Sequence, residues 1–276
     1  MTTASERPSA EGPEAEGREG QQPSVEGELS ALAHREQRFY EETKSSYERV
    51  RGWISRAIGE FDRTAEMHAF YDPAGQVVLD YGCGGGRLSL KLLSRGAREV
   101  VGIDVSDARL EEARRRVADG GFAGRARFLV VDAHNTGFPD GSFDLVVGSA
   151  VLHHLDLPVA LAELRRIMKP GARAVFAEPL VHNPILRVGR ALTPSARTPD
   201  EHPITAADWT LAGSIFPGFR HKEKEFLSVF LMPFNLILPR RWQGALASRV
   251  ARADDRLLAR FPSLRKHARM TILILE

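Results

Sequence analysis

The stretch Asp80-Tyr81-Gly82-Cys83-Gly84-Gly85-Gly86 sets an acid and four glycines directly after the apolar run Val77-Val78-Leu79. Glycines at such a place permit a tight turn and let the backbone approach a ligand closely. Spacing excludes two phosphate-binding uses of the loop. The dinucleotide fingerprint needs a third Gly or Ala three residues after the second glycine, and that position holds Arg87 or Ser89, depending on which pair begins the count. No Gly-Lys-Ser/Thr follows, so a P-loop is out as well. Asp80 beside the bend suits a cationic amino group better than a pyrophosphate. Further along, His153, His154, Glu178, His182 and His202 are candidate proton carriers. Imidazole titrates near neutrality and fits a general base, although each of these residues also reads as an ordinary structural or loop residue. No histidine spacing argues for a metal site. The single cysteine, Cys83, reads as a small residue inside the bend and not as a nucleophile, and it excludes an internal disulfide.

These residues need elements to hold them. Short apolar runs recur at Val77-Val78-Leu79, Val100-Val101-Gly102-Ile103, Phe128-Leu129-Val130-Val131, Leu145-Val146-Val147 and Ala174-Val175-Phe176. Helix-period segments alternate with them at Arg87 to Ser94, Asp107 to Ala118 and Pro158 to Met168. In the second, Leu110, Ala113 and Val117 share a face, and Ser106 stands where an N-cap belongs. Continuously apolar strands joined by helices predict a mainly parallel sheet covered on both faces, a Rossmann-like doubly wound α/β core. An amphipathic pattern before the core predicts an N-terminal helical cap. Met270 to Leu275 reads as a last strand, preceded by the broken apolar run Phe226 to Leu238 and a helical stripe with Arg249, Arg252, Arg256 and Arg260 on its flank. That stripe is an inserted helix near the final strands. The division that follows is a disordered tail over 1–30, a helical cap over 31–72, the ligand-binding core over 73–180, and an acceptor-side cap with inserted helices and final strands over 181–276.

From Val77 to about Glu178 the chain resembles the class I S-adenosylmethionine-dependent methyltransferases of the type 11 group, the small-molecule and ubiquinone-biosynthesis-like members. The acidic strand end with its glycine bend matches their first motif, and Gly102-Ile103-Asp104-Val105-Ser106 their second-strand signature. Asp132-Ala133 matches the pair that ends the third strand. Phe138 to Asp144, then Leu152-His153-His154-Leu155, and Lys169-Pro170-Gly171 complete the order. The resemblance implies S-adenosylmethionine as cofactor, with the ribose hydroxyls on Asp104 and the adenine edge on Asp132 and Ala133. It implies further contacts from Tyr40, Asp80, Gly82, Cys83, Gly84, Gly86, Val105, Ser149 and His154. On the residues alone, Asp104 and Asp132 could equally be helix N-caps. Tyr40 and Tyr47, seven apart, could share a helical face over the cofactor or pack in the core.

A methyl sulfonium is already an activated electrophile, so the main task is to fix donor and acceptor in line with reacting atoms ~3–3.5 Å apart. His153, His154, Glu178 and His182 are the candidates for a catalytic base. The expected reaction is O-methylation of a specialised or lipid-like metabolite. Carbon methylation of a quinone- or terpenoid-like acceptor and carboxyl methylation of a peptide are the alternatives, and a non-catalytic S-adenosylmethionine-binding partner protein is the rival from another class. Nucleic-acid amino methylation is disfavoured, since Gly148-Ser149-Ala150-Val151 lacks an Asn/Asp-Pro-Pro-aromatic signature. Residues 1–30 are rich in Glu, Gly, Pro and Ser, too poor in large apolar side chains to offset chain entropy. They hold seven glutamates against two arginines, so the remainder is more basic than the net +2 of the whole chain. That is a mild bias and not a nucleic-acid signature. With no signal peptide and no long apolar stretch, the expectation is a cytoplasmic protein with a small-molecule acceptor; transient membrane contact and a homodimer both fit it.

Overall fold

The structure, a computed structural model, describes residues 29–39, 41, 67–180, 182–183, 187–188, 191, 201–230 and 240–276. Seven strands form one sheet in the order β3-β2-β1-β4-β5-β7-β6. They are β1 Val77–Tyr81, β2 Glu99–Asp104, β3 Ala126–Val130, β4 Phe143–Ser149, β5 Met168–Pro179, β6 Arg220–Lys224 and β7 Met270–Leu275. The first five pair in parallel, while β7 runs antiparallel between β5 and β6. The described helices are α1 over 31–39, α2 Arg87–Ser94, α3 Asp107–Asp119, α4 Leu157–Ile167, α5 Ala206–Ile215 and α6 Arg240–Arg260.

The central strands are apolar on both sides because both sides are covered. Val78, Val100 and Val147 face Leu88, Leu92, Leu110 and Val117 of α2 and α3. Leu79, Val101, Val146 and Phe176 face Leu161 and Leu164 of α4, Phe216 beyond α5, and Leu258 of α6. The doubly wound α/β architecture read from the sequence is the one observed. Ser106 does take the N-cap position of α3, with extended backbone, but its hydroxyl makes no capping bond.

Two local readings change. Ser30, assigned to the tail by composition, is the first turn of α1: its hydroxyl accepts from Ala33 N–H at 3.2 Å and its carbonyl from His34 N–H at 2.9 Å. Strand β6 is absent from the apolar runs because its sequence, Arg-His-Lys-Glu-Lys, is wholly polar. Pairing with β7 makes it a strand, and its inward groups find partners. Glu223 accepts from the His221 ring at 2.6 Å, and Lys224 Nζ reaches Asp255 at 2.8 Å. Charged side chains on an edge strand also discourage edge-to-edge pairing.

Close approach of strands sets a tight local constraint at Gly148. A methyl added at Gly148 would stand 2.5 Å from the Phe176 ring and 2.9 Å from the Tyr81 carbonyl. Gly148→Ala is therefore expected to cost about 1–3 kcal/mol of stability through overpacking. Denaturant midpoints of the two proteins measure it, and an unchanged midpoint would mean that the β1–β4–β5 seam can open without cost.

Candidate functional site

Chain order reverses between β1 and β4, and at such a switch point a crevice opens beyond the carboxyl ends of the strands. The glycine bend lies on its β1 side. Gly82, with φ +70°, is so close to Val151 after β4 that a Cβ would stand 2.5 Å from a valine methyl. Gly84, with φ +50°, donates its N–H to Asp104 Oδ2 at 2.9 Å, tying the bend to the end of β2. Cys83 is buried with its N–H on the Ile103 carbonyl. Burial and the nearby Asp80 and Asp104 push its thiol pKa well up, the opposite of an activated nucleophile.

Asp80 is fully buried, and burial raises its carboxyl to about 7, with Ser89 lowering it and Asp104 raising it. Ser89 Oγ donates to it at 2.5 Å, and among the described residues no Lys or Arg pairs with it. A buried acid short of a positive partner fits a ligand ammonium. Asp104 Oδ1 accepts from Ser106 N–H at 3.0 Å and Asp132 Oδ1 from His134 N–H at 2.8 Å, and neither acid stands at the N-cap of a described helix. Val105 and Ser149 are half-buried, after β2 and at the end of β4. Asp132 follows β3, where Val131 N–H bonds the Asp104 carbonyl at 3.3 Å. Burial would raise the Asp132 pKa, but hydrogen bonds from His134 and Ser30 lower it far below the usual carboxylate range. Ala133 is held through its carbonyl by the Tyr81 hydroxyl. The bend, Asp80, Asp104 and Asp132 thus lie at the carboxyl ends of the neighbouring strands β1, β2 and β3.

Beyond β4 lies a second group. Glu178, near the end of β5, is buried; its Oε1 accepts from Val151 and Leu152 N–H, each at 3.0 Å, and its Oε2 meets His153 Nδ1 at 2.6 Å. Burial would raise its pKa, but the His153 bond and charge and the two backbone donors lower it. The other ring nitrogen of His153 faces Glu201 at 3.8 Å. His154 lies beside His153 with centroids 4.1 Å apart and the rings tilted by 40°, and its Nδ1 is 3.0 Å from Glu36 of α1. Burial would lower the His154 pKa, yet Glu36, with Glu201 and Glu178 behind it, raises it. His182 is exposed and its carbonyl accepts from His267 at 2.9 Å, outside this cluster. His202 joins only through its backbone, donating N–H to the His153 carbonyl at 2.7 Å. Tyr40 and Tyr47 lie outside the described residues.

Sequence reading missed four participants. Ser30 N–H donates to Asp132 Oδ2 at 2.9 Å across 102 positions, Glu36 meets His154, Glu201 faces His153, and His134 clasps Asp132 at 2.7 Å. Only His134, two residues after a predicted strand end, carried a local signal. Among the described residues no group of three or more His, Cys, Asp or Glu is disposed to hold a metal ion, and no helix is long and apolar enough to cross a membrane. A cavity of about 580 Å³ lined by Val77, Phe128, Phe138 and Phe143 opens near the starts of β1 and β4, at the opposite end from this crevice.

Residues 78–171 match the family model of the methyltransferase domain. This segment is thus similar to methyltransferase domains, in keeping with the class I S-adenosylmethionine-dependent resemblance of its motifs. A demethylmenaquinone methyltransferase of Clavibacter sepedonicus is 35% identical over 153 residues, 55% of this chain and 58% of its own. An O-methyltransferase of Penicillium expansum is 33% identical over 123 residues, 44% of this chain and 45% of its own. The chain thus spans about half the length of these curated relatives. The structure of phosphoethanolamine N-methyltransferase 2 of Haemonchus contortus superposes with a TM-score of 0.64 and 17% identity, covering 90% of this chain and 60% of that one, which speaks for the fold.

Helix α1 and its first turn touch the crevice twice, at Asp132 and at His154. The Glu36–His154 attraction is complete below the ordinary imidazole pKa and fades as pH rises past the raised one. Amide-exchange protection of residues 31–39, corrected for the intrinsic rate, is expected to fall about fivefold between roughly pH 6 and pH 9. Glu36→Gln should abolish that dependence. A pH-independent wild type would sink the latch.

Proposed function

We propose that the chain methylates an oxygen of a small specialised or lipid-like acceptor, with S-adenosylmethionine held in the crevice between β1 and β4. The observation that carries this reading is the buried Glu178–His153 pair beside that crevice. Asp80 holds the amino group of the cofactor, Gly82, Gly84 and Gly86 admit it closely, Asp104 takes the ribose hydroxyls, and Asp132 with Ala133 takes the adenine edge. When bound, the cofactor supplies an activated methyl electrophile. Glu178 accepts the Nδ1–H of His153, which leaves Nε2 unprotonated, on the side of Glu201. His153 Nε2 then takes the hydroxyl proton of the acceptor, and Glu178 stabilises the imidazolium so formed. Val151 and Leu152 donate their N–H groups to Glu178 and fix its orientation. His154, engaged by Glu36, positions α1 over the site and excludes water.

A second reading, carbon methylation of a quinone-type acceptor, is favoured by the similarity to a demethylmenaquinone methyltransferase. The two part on the base. Turnover, read as S-adenosylhomocysteine release over a panel of phenolic, hydroxylated and reduced-quinone acceptors, is expected to fall at least about a hundredfold in His153→Ala and Glu178→Gln. His182→Ala should retain full activity. Equal turnover by all three would remove the base, and binding without turnover on the whole panel would favour a non-catalytic role.

Asp80 generates an independent prediction. Its carboxylate form binds the ammonium, so below about pH 7 proton competition should weaken cofactor affinity by up to about tenfold per pH unit. Calorimetry with S-adenosylmethionine reads this. Asp80→Asn is expected to bind weakly at every pH, and a flat wild-type profile would contradict the assignment.

A further inference from the structure

Helix α6 has a buried side and a basic one. Asp254 and Leu258 are buried, with Val250 and Leu257 half-buried beside them, while Arg249, Arg252, Arg256 and Arg260 are all exposed. At 100° per residue these four arginines fall within an arc of about 80°. No exposed acid interrupts them. Asp255 lies off the stripe and is engaged by Lys224 at 2.8 Å and Lys222 at 3.9 Å. Beyond the helix the surface continues with exposed Arg265 and Lys266. From 240 to 267 the sequence holds eight basic residues and two acids.

Apolar groups accompany this charge where water meets them. Phe261 is 47% exposed and carries the Arg260 guanidinium over its ring at 5.2 Å. Phe230 is 53% exposed, and its segment is packed on α6 through Leu227 N–H on Asp254 at 2.9 Å. A solvated helix face needs charge but gains nothing from an exposed phenyl ring at its end. Guanidinium groups with aromatic rings beside them suit an interface that is anionic at its surface and apolar just below.

We propose that the α6 arginine face and the turn Pro262–His267 dock the protein on an anionic lipid surface. The same turn is bonded to the loop leaving β5: Asn183 Nδ2 donates to the His267 carbonyl at 2.7 Å, and the His267 ring meets the His182 carbonyl. Docking therefore brings the loop that follows Glu178 and β5 near the bilayer, from which a lipid-like acceptor would come. This consequence rests on the proposed methyl transfer, whereas the docking itself does not.

The test uses the full chain with vesicles of phosphatidylcholine alone or with about one third phosphatidylglycerol, without cofactor or acceptor, at low and at roughly physiological salt. Partition into the anionic vesicles is expected to exceed the neutral ones at least about tenfold and to weaken with salt. The quadruple variant Arg249→Glu, Arg252→Glu, Arg256→Glu, Arg260→Glu should lose about a hundredfold or more, with S-adenosylmethionine binding unchanged. Should charge reversal impair folding, Arg252→Gln with Arg256→Gln keeps the test, with an expected loss of about tenfold, and Phe261→Ser should weaken binding several-fold. No partition into either vesicle, equal partition into both, or full retention by the Gln variant overturns the proposal. So does tighter binding of a single-stranded oligonucleotide lost in the same variants, which would make the face a nucleic-acid surface. Because no turnover is measured, failure here leaves the methyl-transfer reading untouched, and failure of that reading leaves the docking result intact.

Discussion

A carboxylate buried away from water survives as a charge only where donors replace its hydration. Glu178 meets that condition with three: the N–H groups of Val151 and Leu152 on one oxygen and the His153 ring on the other. The exchange works in both directions. Without Glu178 the two N–H groups would be buried and unmatched, at about 1–3 kcal/mol each. Without that turn of backbone, which begins at Ala150 with φ +57°, the donors would not converge. The conformation of the chain leaving β4, the position of His153 and the near wall of the crevice therefore depend on one side chain of β5. Ala150 N–H on the Ala177 carbonyl at 2.9 Å closes the same seam.

Asp80 is the contrasting case. It is buried as deeply, yet one residue serves it, Ser89 through hydroxyl and backbone N–H, and its carboxyl rises to about 7 where that of Glu178 falls. The difference lies in partners, since burial opposes the charged form of both. A fully matched acid is part of the framework. An under-matched one beside a glycine bend stores unfavourable free energy that a ligand ammonium can release, and this is the physical content of assigning it to the cofactor.

The parts of this fold legible in the sequence are those set by local pattern. Five apolar runs are β1 to β5 because strands covered on both faces need little else, and the acid and glycine spacing marks the bend. Strand β6 was illegible for the complementary reason. Its Arg-His-Lys-Glu-Lys composition argues against a strand, and pairing with β7 decides otherwise, with Asp255 and Thr271 matching Lys224 and Glu223. Ser30, Glu36 and Glu201 were hidden because their roles are fixed by distant residues, and the spacing of Glu36 along α1 says only that it faces inward. The candidate bases were visible as a set, but nothing in the sequence separates His153 from His154 or sets His182 apart.

That separation comes from which carboxylate each ring meets. Glu178 belongs to the central sheet and cannot move without breaking two backbone hydrogen bonds, so the ring it holds keeps a fixed tautomer and direction. Glu36 belongs to a short helix that also meets the crevice through the Ser30 N–H on Asp132. A base must stay in register with an acceptor to within tenths of an ångström, and a cover must leave to let ligands pass. Adjacent rings 4.1 Å apart are thereby held differently: His153 by a strand of the central sheet and His154 by a helix outside it, which is why the proposed base is the former.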